Sequence, residues 1–126
     1  MNGYNRVTMM GTVATKPELK KVKEYDILEF RIMTVVSMPR KNGPAIQETC
    51  YMDVSLFGFK ALEIAPFLNS GMPVHVDGRI KFQSWADAEG KKQSKHVIAA
   101  DNVIVIEAGQ SSGVIDKPFE QPFEGF

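Results

Sequence analysis

Apolar and polar side chains alternate along most of this 126-residue sequence, and this alternation restricts its fold more than any other feature. Alternate side chains of a β-strand point to opposite faces, so an alternating stretch becomes a strand with one buried face. The pattern predicts five strands, over residues 4–12, 28–36, 49–57, 72–85 and 92–106. With 44% hydrophobic residues, a chain of this length is expected to form one globular domain.

A helix is predicted at one place only, between the third and fourth strands. Residues 58–68 carry apolar side chains at helical spacing, and residues 69–71 (Asn-Ser-Gly) then provide a stop signal. Pro66 must kink this helix or lie close to its end, because proline has no backbone N–H to donate. The order of elements therefore predicts an all-β chain with a five-stranded OB-fold barrel and one short helix. A β-sandwich is the alternative, but it does not need the helix.

The composition changes near residue 107. Residues 108–113 are small and polar, with glycine and serine, and residues 116–126 interleave phenylalanine with proline and acidic side chains. Such a segment has too few apolar residues to fold alone. The sequence therefore predicts two parts: an OB-fold domain at residues 1–107, and a flexible linker with an acidic, Phe-rich tail at residues 108–126.

Strand parity places three large aromatic side chains on polar faces. The core-facing residues of the third and fourth strands are Met52, Val54, Leu56, Val74, Val76, Gly78, Ile80 and Phe82. Tyr51 and Phe57 fall on the opposite face of the third strand, and Trp85 falls on that of the fourth. Arg79 and Lys81 share the parity of Trp85. A β-bulge within these strands would reverse the assignment downstream of it.

Exposed rings beside basic side chains suit the binding of single-stranded nucleic acid. Each ring can stack on an unpaired base, while Lys and Arg neutralise phosphates. The expected phosphate contacts are Arg6, Arg31, Arg79 and Lys81, and Met33 on the polar face of the second strand adds a further contact. The formal net charge of zero excludes a strongly basic DNA-coating protein but not a locally positive groove. Alternatively, the aromatic rings cap the core or enter an oligomer interface.

Several short motifs occur in order along residues 4–106. They are Tyr4-Asn5-Arg6-Val7, Lys16-Pro17-Glu18-Leu19, Phe30-Arg31-Ile32-Met33-Thr34, Tyr51-Met52-Asp53-Val54-Ser55-Leu56-Phe57-Gly58, Val74-His75-Val76-Asp77-Gly78-Arg79, Ser84-Trp85 and Ala100-Asp101-Asn102-Val103. As an ordered set they resemble the bacterial-type single-stranded DNA-binding proteins, a family with phage and plasmid members.

This resemblance implies an OB fold and binding of single-stranded DNA, largely without sequence specificity, during replication, recombination and repair. It implies base stacking by Tyr51, Phe57 and Trp85, in agreement with their parity. It also implies a homotetramer built from dimers, with the first strand as the seam. The family often has a tryptophan at the end of its second strand, where this chain has Val-Ser-Met at residues 36–38. Met38 is the expected replacement contact there.

The tail is expected to recruit replication or repair proteins; alternatively, it is a solvated terminus or docks on its own barrel. Phe126 would enter an apolar pocket on such a partner, with Phe123 beside it, while Glu124 and the terminal carboxylate would meet basic residues. The tail differs from the usual tail of the single-stranded DNA-binding proteins in two respects. It lacks the run of acids, and it lacks a proline directly before the last phenylalanine.

Two other functions remain as alternatives. Some nucleases use an OB barrel, and Asp53 and Asp77 share the predicted aromatic face. A replication adaptor of the primosome type would use the same fold but bind DNA weakly, and such adaptors tend to lack the tail. The chain has no P-loop, Rossmann glycine pattern or metal-ligand spacing, so no catalytic residue, cofactor or metal is expected. No membrane association is expected. The expected location is the cytoplasm, at the nucleoid or replication fork of a bacterium, or the host cytoplasm for a phage-encoded protein.

Overall fold

The computed structural model describes residues 1–106, and eight short elements make up this part of the chain. The elements are β1 (Val7–Val13), β2 (Glu18–Val22), β3 (Tyr25–Met38), β4 (Ile46–Phe57), α1 (Phe59–Ile64), a 3₁₀ turn (Ala65–Phe67), β5 (Pro73–Ala86) and β6 (Lys92–Val105). Within these residues, no helix is both long and apolar enough to traverse a bilayer.

Five of the strands close into a barrel. Their order is β1-β5-β6-β4-β3, and β1 then pairs with β3 through Thr12 opposite Met33 and Val13 opposite Ile32. All neighbouring pairs are antiparallel except β4 with β6. The closed sheet with a helix between β4 and β5 confirms the predicted OB-fold barrel, and residues 1–106 contain no second sheet that could form a sandwich.

One strand of the structure, β2, is absent from the sequence prediction. It pairs with the start of β3 through a two-residue turn in which Lys23 has a φ of 57°. β2 continues the direction of β1 along β3. Across the gap between them, the Ala14 N–H donates to the Arg31 carbonyl (2.7 Å), and the Arg31 N–H donates to Thr15 Oγ1 (3.0 Å). All five side chains of β2 are exposed, so no hydrophobic alternation marks this strand.

The barrel interior is filled by the predicted core faces. The largest fully buried side chains of this core are Val13, Leu28, Ile32, Val54, Leu56, Val74, Val76 and Ile98. Gly78 has the same inward parity, and an added Cβ there would overlap the carbonyl oxygen of Ala99 on β6. The prediction was wrong for Phe82, which is exposed. This residue lies beyond the barrel, where β5 and β6 continue as a two-stranded arm, and the centroid of its ring is 5.3 Å from that of His96.

The helical connection covers the barrel on one side. Ala61 and Leu68 are buried in the core cluster. The α-helix ends at Ile64, and Pro66 lies in the 3₁₀ turn that follows, which confirms the predicted effect of that proline. Gly58 has a φ of 80°, a conformation that favours glycine, and it turns the chain from β4 into α1.

Candidate nucleic-acid interface

The cross-strand register brings the predicted aromatic and basic residues to one outer face. Residues paired directly in a sheet point to the same side. One such row crosses β3, β4, β6 and β5 and consists, in that order, of Arg31, Asp53, Val97 and Lys81. In neighbouring rows, Met33 is opposite Tyr51, Ala99 is opposite Arg79, and Gln93 is opposite Trp85. This surface, which also includes Phe57, is called the aromatic face below.

The β5–β6 ladder contains a bulge, but it does not reverse the parity of the aromatic face. The register shifts between Asp77 and Gly78 on β5, where the partner residues change from Asn102 to Ala100. Asp101 is thus the extra residue, and it lies on β6. Since β5 itself gains no residue, its alternation stays regular from Val74 onward, as the parity argument requires.

The three predicted stacking rings are accessible. Tyr51 is 55% exposed, Phe57 44% and Trp85 45%. Two of the rings each have an ammonium group over them. Lys81 Nζ is 5.9 Å from the ring centroid of Phe57, and Lys95 Nζ is 5.7 Å from that of Trp85. Lys95 was missed by the sequence analysis, although the parity of β6 would have placed it on this face. The face therefore combines accessible rings with ammonium groups beside them.

A groove of about 330 Å³ lies on the β3–β4 side of this face, with an ion pair at its centre. Asp53 Oδ1 accepts a hydrogen bond from Arg31 Nε at 2.8 Å, and Asp53 Oδ2 accepts one from Lys95 Nζ at 2.8 Å. The bond from Arg31, together with that from Lys95, lowers the pKa of Asp53. Reciprocally, the carboxylate raises the pKa of Arg31. The Arg31 charge is therefore already partly compensated within the chain.

Arg6 is also paired within the protein. Its two terminal nitrogens contact Asp101 Oδ2 at 2.6 Å and Asp77 Oδ1 at 2.8 Å. The hydrogen bond to Asp101 is the main reason why the pKa of Arg6 is raised. The structure thus places Arg6 between two carboxylates at the start of β1, and binding of a phosphate there requires an exchange of partners.

Arg79 and Lys81 differ from the other two predicted phosphate contacts. Neither forms an ion pair with another residue in the part of the chain that the structure describes. Both line a second cleft of about 520 Å³, which also contains Phe57 and two residues at the start of α1, Phe59 and Lys60. These two cations therefore have no ion-pair partner among residues 1–106, although the hydrogen bond from Arg6 and, to a lesser extent, the charge of Arg79 lower the pKa of Asp101 in the same cleft.

The remaining predicted contacts do not all lie on the aromatic face. Met33 lies beside Tyr51 in the sheet register. Met38 is opposite Ile46 at the tip of the β3–β4 hairpin, and strict alternation turns it to the opposite face from Met33. The predicted tail contacts Phe123, Glu124 and Phe126 lie outside the described residues.

The carboxylates that suggested a nuclease are held by cations. Asp53 is paired with Arg31 and Lys95, and Asp77 is paired with Arg6. Over residues 1–106, no three histidine, cysteine or acidic side chains gather in a way that could hold a metal ion. The acids of this face therefore neutralise neighbouring cations in the structure.

Comparisons with known proteins agree with this geometry. Residues 4–106 match the family described as the single-strand binding protein family. A single-stranded DNA-binding protein of Wolinella succinogenes is 30% identical over 112 residues, which cover 87% of this chain and 69% of the relative. Another, of Helicobacter pylori, is 32% identical over 101 residues, which cover 79% of this chain and 56% of that relative.

Solved structures show the same fold at lower sequence identity. The complex of the Plasmodium falciparum protein SSB with single-stranded DNA has a TM-score of 0.76 at 15% identity, and covers 85% of this chain and 98% of the other. A deletion mutant of the single-stranded DNA binding protein from Thermus aquaticus has a TM-score of 0.73 at 24% identity, and covers 83% of this chain and 51% of the other.

Proposed function

The chain belongs to the single-strand binding protein family, and we propose that it binds single-stranded DNA through its aromatic face, largely without sequence preference. Tyr51, Phe57 and Trp85 stack on unpaired bases, since every base offers a π-face to an accessible ring. Stacking and phosphate contacts carry little sequence information, which is why the binding tolerates any sequence.

The observation that carries the proposal is the combination of accessible rings and ammonium groups on one sheet face. Rings that only capped the core would be covered, but all three are about half exposed. Lys81 and Lys95 lie over two of the rings, so a strand whose bases stack there passes its phosphates close to both cations. Arg79 and Lys81 supply phosphate contacts directly, whereas Arg6 and Arg31 do so by exchanging a carboxylate for a phosphate.

A fluorescence titration tests this proposal. Trp85 is the only tryptophan in the chain, so its emission reports one position of the aromatic face. Addition of poly(dT) should quench this emission, and Trp85→Ala should weaken binding by about 1–3 kcal/mol, measured by anisotropy of labelled oligo(dT). Phe67→Ala is the matched control, because Phe67 is an exposed ring of the 3₁₀ turn that lines neither cleft of the aromatic face. Unchanged Trp85 emission at saturating poly(dT) would overturn the proposal.

A homotetramer built from dimers fits two further features of the barrel. β1 pairs with β3 only through Thr12 and Val13, which leaves one edge of its earlier residues open to another strand. A row of outward side chains crosses β1, β5 and β6 and consists of Met10, His75 and Ile104. Met10 and Ile104 are exposed and could be covered by another copy of the chain. Light scattering should give a tetramer for the full chain, and Ile104→Glu should reduce its mass to that of a smaller species.

We further propose that the protein binds DNA without cleaving it, in the cytoplasm and during replication, recombination and repair. Incubation of labelled single strands with the protein and Mg²⁺ should leave them intact. A primosome-type adaptor would bind oligo(dT) weakly, so the same anisotropy titration distinguishes that alternative. Residues 1–107 form the DNA-binding domain, and residues 108–126 provide the linker and the partner-binding tail.

The tail proposal rests on the sequence of residues 116–126, where Phe123 and Phe126 stand among acids. Deletion of residues 116–126 should keep the fold and the DNA affinity, and should abolish the capture of helicases or polymerases in a pull-down from the native host. Loss of the fold or of the oligomer on truncation would show that the segment is structural.

A further inference from the structure

A cleft at one end of the aromatic face contains a ring that the proposed function does not use. It has a volume of about 520 Å³ and lies where β4 passes into α1. Its lining residues are Leu56, Phe57, Phe59, Lys60, Arg79, Lys81, Ala99, Ala100 and Asp101. The cleft is continuous with the aromatic face because Phe57, Arg79 and Lys81 belong to both.

Phe59 is the unexplained residue in this cleft. Its side chain is 78% exposed, which is far more than any of the three predicted stacking rings. It contributes little to the packing of its own helix, since Ala61 is the buried residue of α1 and Leu68 follows in the chain. Phe59 and the half-exposed Phe57 line the same cleft and so form one exposed apolar patch, an arrangement that commonly marks a binding surface.

The charges around Phe59 favour a polyanion as the partner. Arg79 and Lys81 have no ion-pair partner among residues 1–106, in contrast to Arg6 and Arg31. Lys60 is held in place by the Asp101 carbonyl (2.8 Å) and by Asn102 Oδ1 (2.9 Å), so its ammonium stays at the rim of the cleft. The free positive charge of the aromatic face is thus concentrated beside Phe57 and Phe59.

We propose that Phe59 is a fourth base-stacking residue, and that the bound strand leaves the aromatic face through this cleft with its phosphates on Arg79 and Lys81. The proposal rests on the proposed function, because it concerns the same strand of DNA. Only Gly58 separates Phe59 from Phe57 in the sequence, and both rings line the cleft, so Phe59 offers a further base a stacking partner beside Phe57. Gly58, with its φ of 80°, turns the chain here so that both rings line the cleft.

A relocated indole tests this proposal directly. In the double variant Trp85→Phe/Phe59→Trp, the only tryptophan lies at position 59 and position 85 keeps a ring. Poly(dT) should quench its emission, as it quenches that of Trp85 in the unchanged protein. The matched control is Trp85→Phe/Phe67→Trp, which moves the indole to another exposed position of the same helical connection. Its emission should not change.

An affinity measurement complements the spectroscopy. Phe59→Ala should weaken the binding of a long oligo(dT) roughly five- to 150-fold, whereas Phe67→Ala should leave it unchanged. Circular dichroism checks that each variant is folded. If Trp85 of the unchanged protein is quenched but the indole at position 59 is not, or if Phe59→Ala binds normally, the fourth stacking position is wrong and the proposed function stands. If Trp85 itself is not quenched, the proposed function fails.

Discussion

Asp53 lies at the centre of the aromatic face, and its replacement by asparagine should strengthen DNA binding. The carboxylate is 2.8 Å from both Arg31 Nε and Lys95 Nζ. A phosphate oxygen bonded to either nitrogen would lie about 6 Å from the carboxylate, because charge-assisted hydrogen bonds have similar lengths on both sides. At the screening of bulk water, two unit charges at that separation repel by about 0.7 kcal/mol. Removal of this repulsion corresponds to about threefold tighter binding.

The salt dependence gives an independent measure of the same effect. The cluster of Arg31, Lys95 and Asp53 carries one net positive charge, and replacement of Asp53 by asparagine raises this to two. One further neutralised phosphate should make the log–log salt slope steeper by about 0.7 for a single strand. Anisotropy titrations of labelled oligo(dT) over a salt series measure both the affinity and the slope for Asp53→Asn and for the unchanged protein.

Asp26→Asn is the charge-matched control for this experiment. Asp26 is paired only loosely with Lys21, at 3.8 Å, in the β2–β3 hairpin, and it has the opposite parity to Asp53 along β3 and β4. Its replacement should change neither the slope nor the affinity by more than a small long-range contribution. Weaker binding by a folded Asp53→Asn variant would refute the reasoning. It would mean that the carboxylate holds Arg31 and Lys95 in position for DNA instead of competing with it.

Three further outcomes are expected. Arg79→Ala should make the salt slope shallower to the same extent on dT and dC strands, whereas Lys21→Ala should leave it unchanged, both measured by the same anisotropy titrations. Gly78→Ala should lower the free energy of unfolding in urea by about 1–3 kcal/mol, because its Cβ would meet the β6 backbone, and Gly3→Ala, in open space, should not. Ion pairs lower the pKa of Asp53 in the folded state, so its contribution to the free energy of unfolding is present above the ordinary carboxyl pKa and is lost as pH falls below about 4. In urea unfolding at decreasing pH, Asp53→Asn should therefore lose less stability than the unchanged protein.

The barrel could be predicted from the sequence because its interior demands regular alternation. Each barrel strand turns one face towards the interior, and that face leaves a period of two in the apolar residues. β2 has no such face and consists of residues 18–22, Glu-Leu-Lys-Lys-Val, all exposed. Its pairing with β3 depends on the turn at Lys23 and on backbone hydrogen bonds, neither of which leaves a hydrophobic pattern. The failure at Phe82 has a related cause, since alternation continues into an arm that has no core to cover it.

The rings of the site could be predicted, but the state of its charges could not. Parity alone places Tyr51 and Trp85 on the aromatic face, and the bulge at Asp101 leaves that parity intact because it lies on β6. The ion pairs depend on the register between paired strands. Asp53 meets Arg31 only because β3 and β4 align those two residues as direct partners. A single sequence contains no signal for that alignment.

The pairing of charges explains how a chain with a formal net charge of zero can present a DNA-binding face. Exchange of a carboxylate for a phosphate at Arg31 gains little, because one charge-assisted hydrogen bond replaces another. Contacts of this kind add only modestly to the affinity for single-stranded DNA. The cations Arg79 and Lys81, which are unpaired among residues 1–106, must therefore supply most of the electrostatic attraction. These two residues line the same cleft as Phe57 and Phe59, so under the proposed function stacking and phosphate neutralisation would act on the same stretch of DNA. The β4–α1 end of the aromatic face should therefore dominate the affinity, while the Asp53 cluster tunes its dependence on salt.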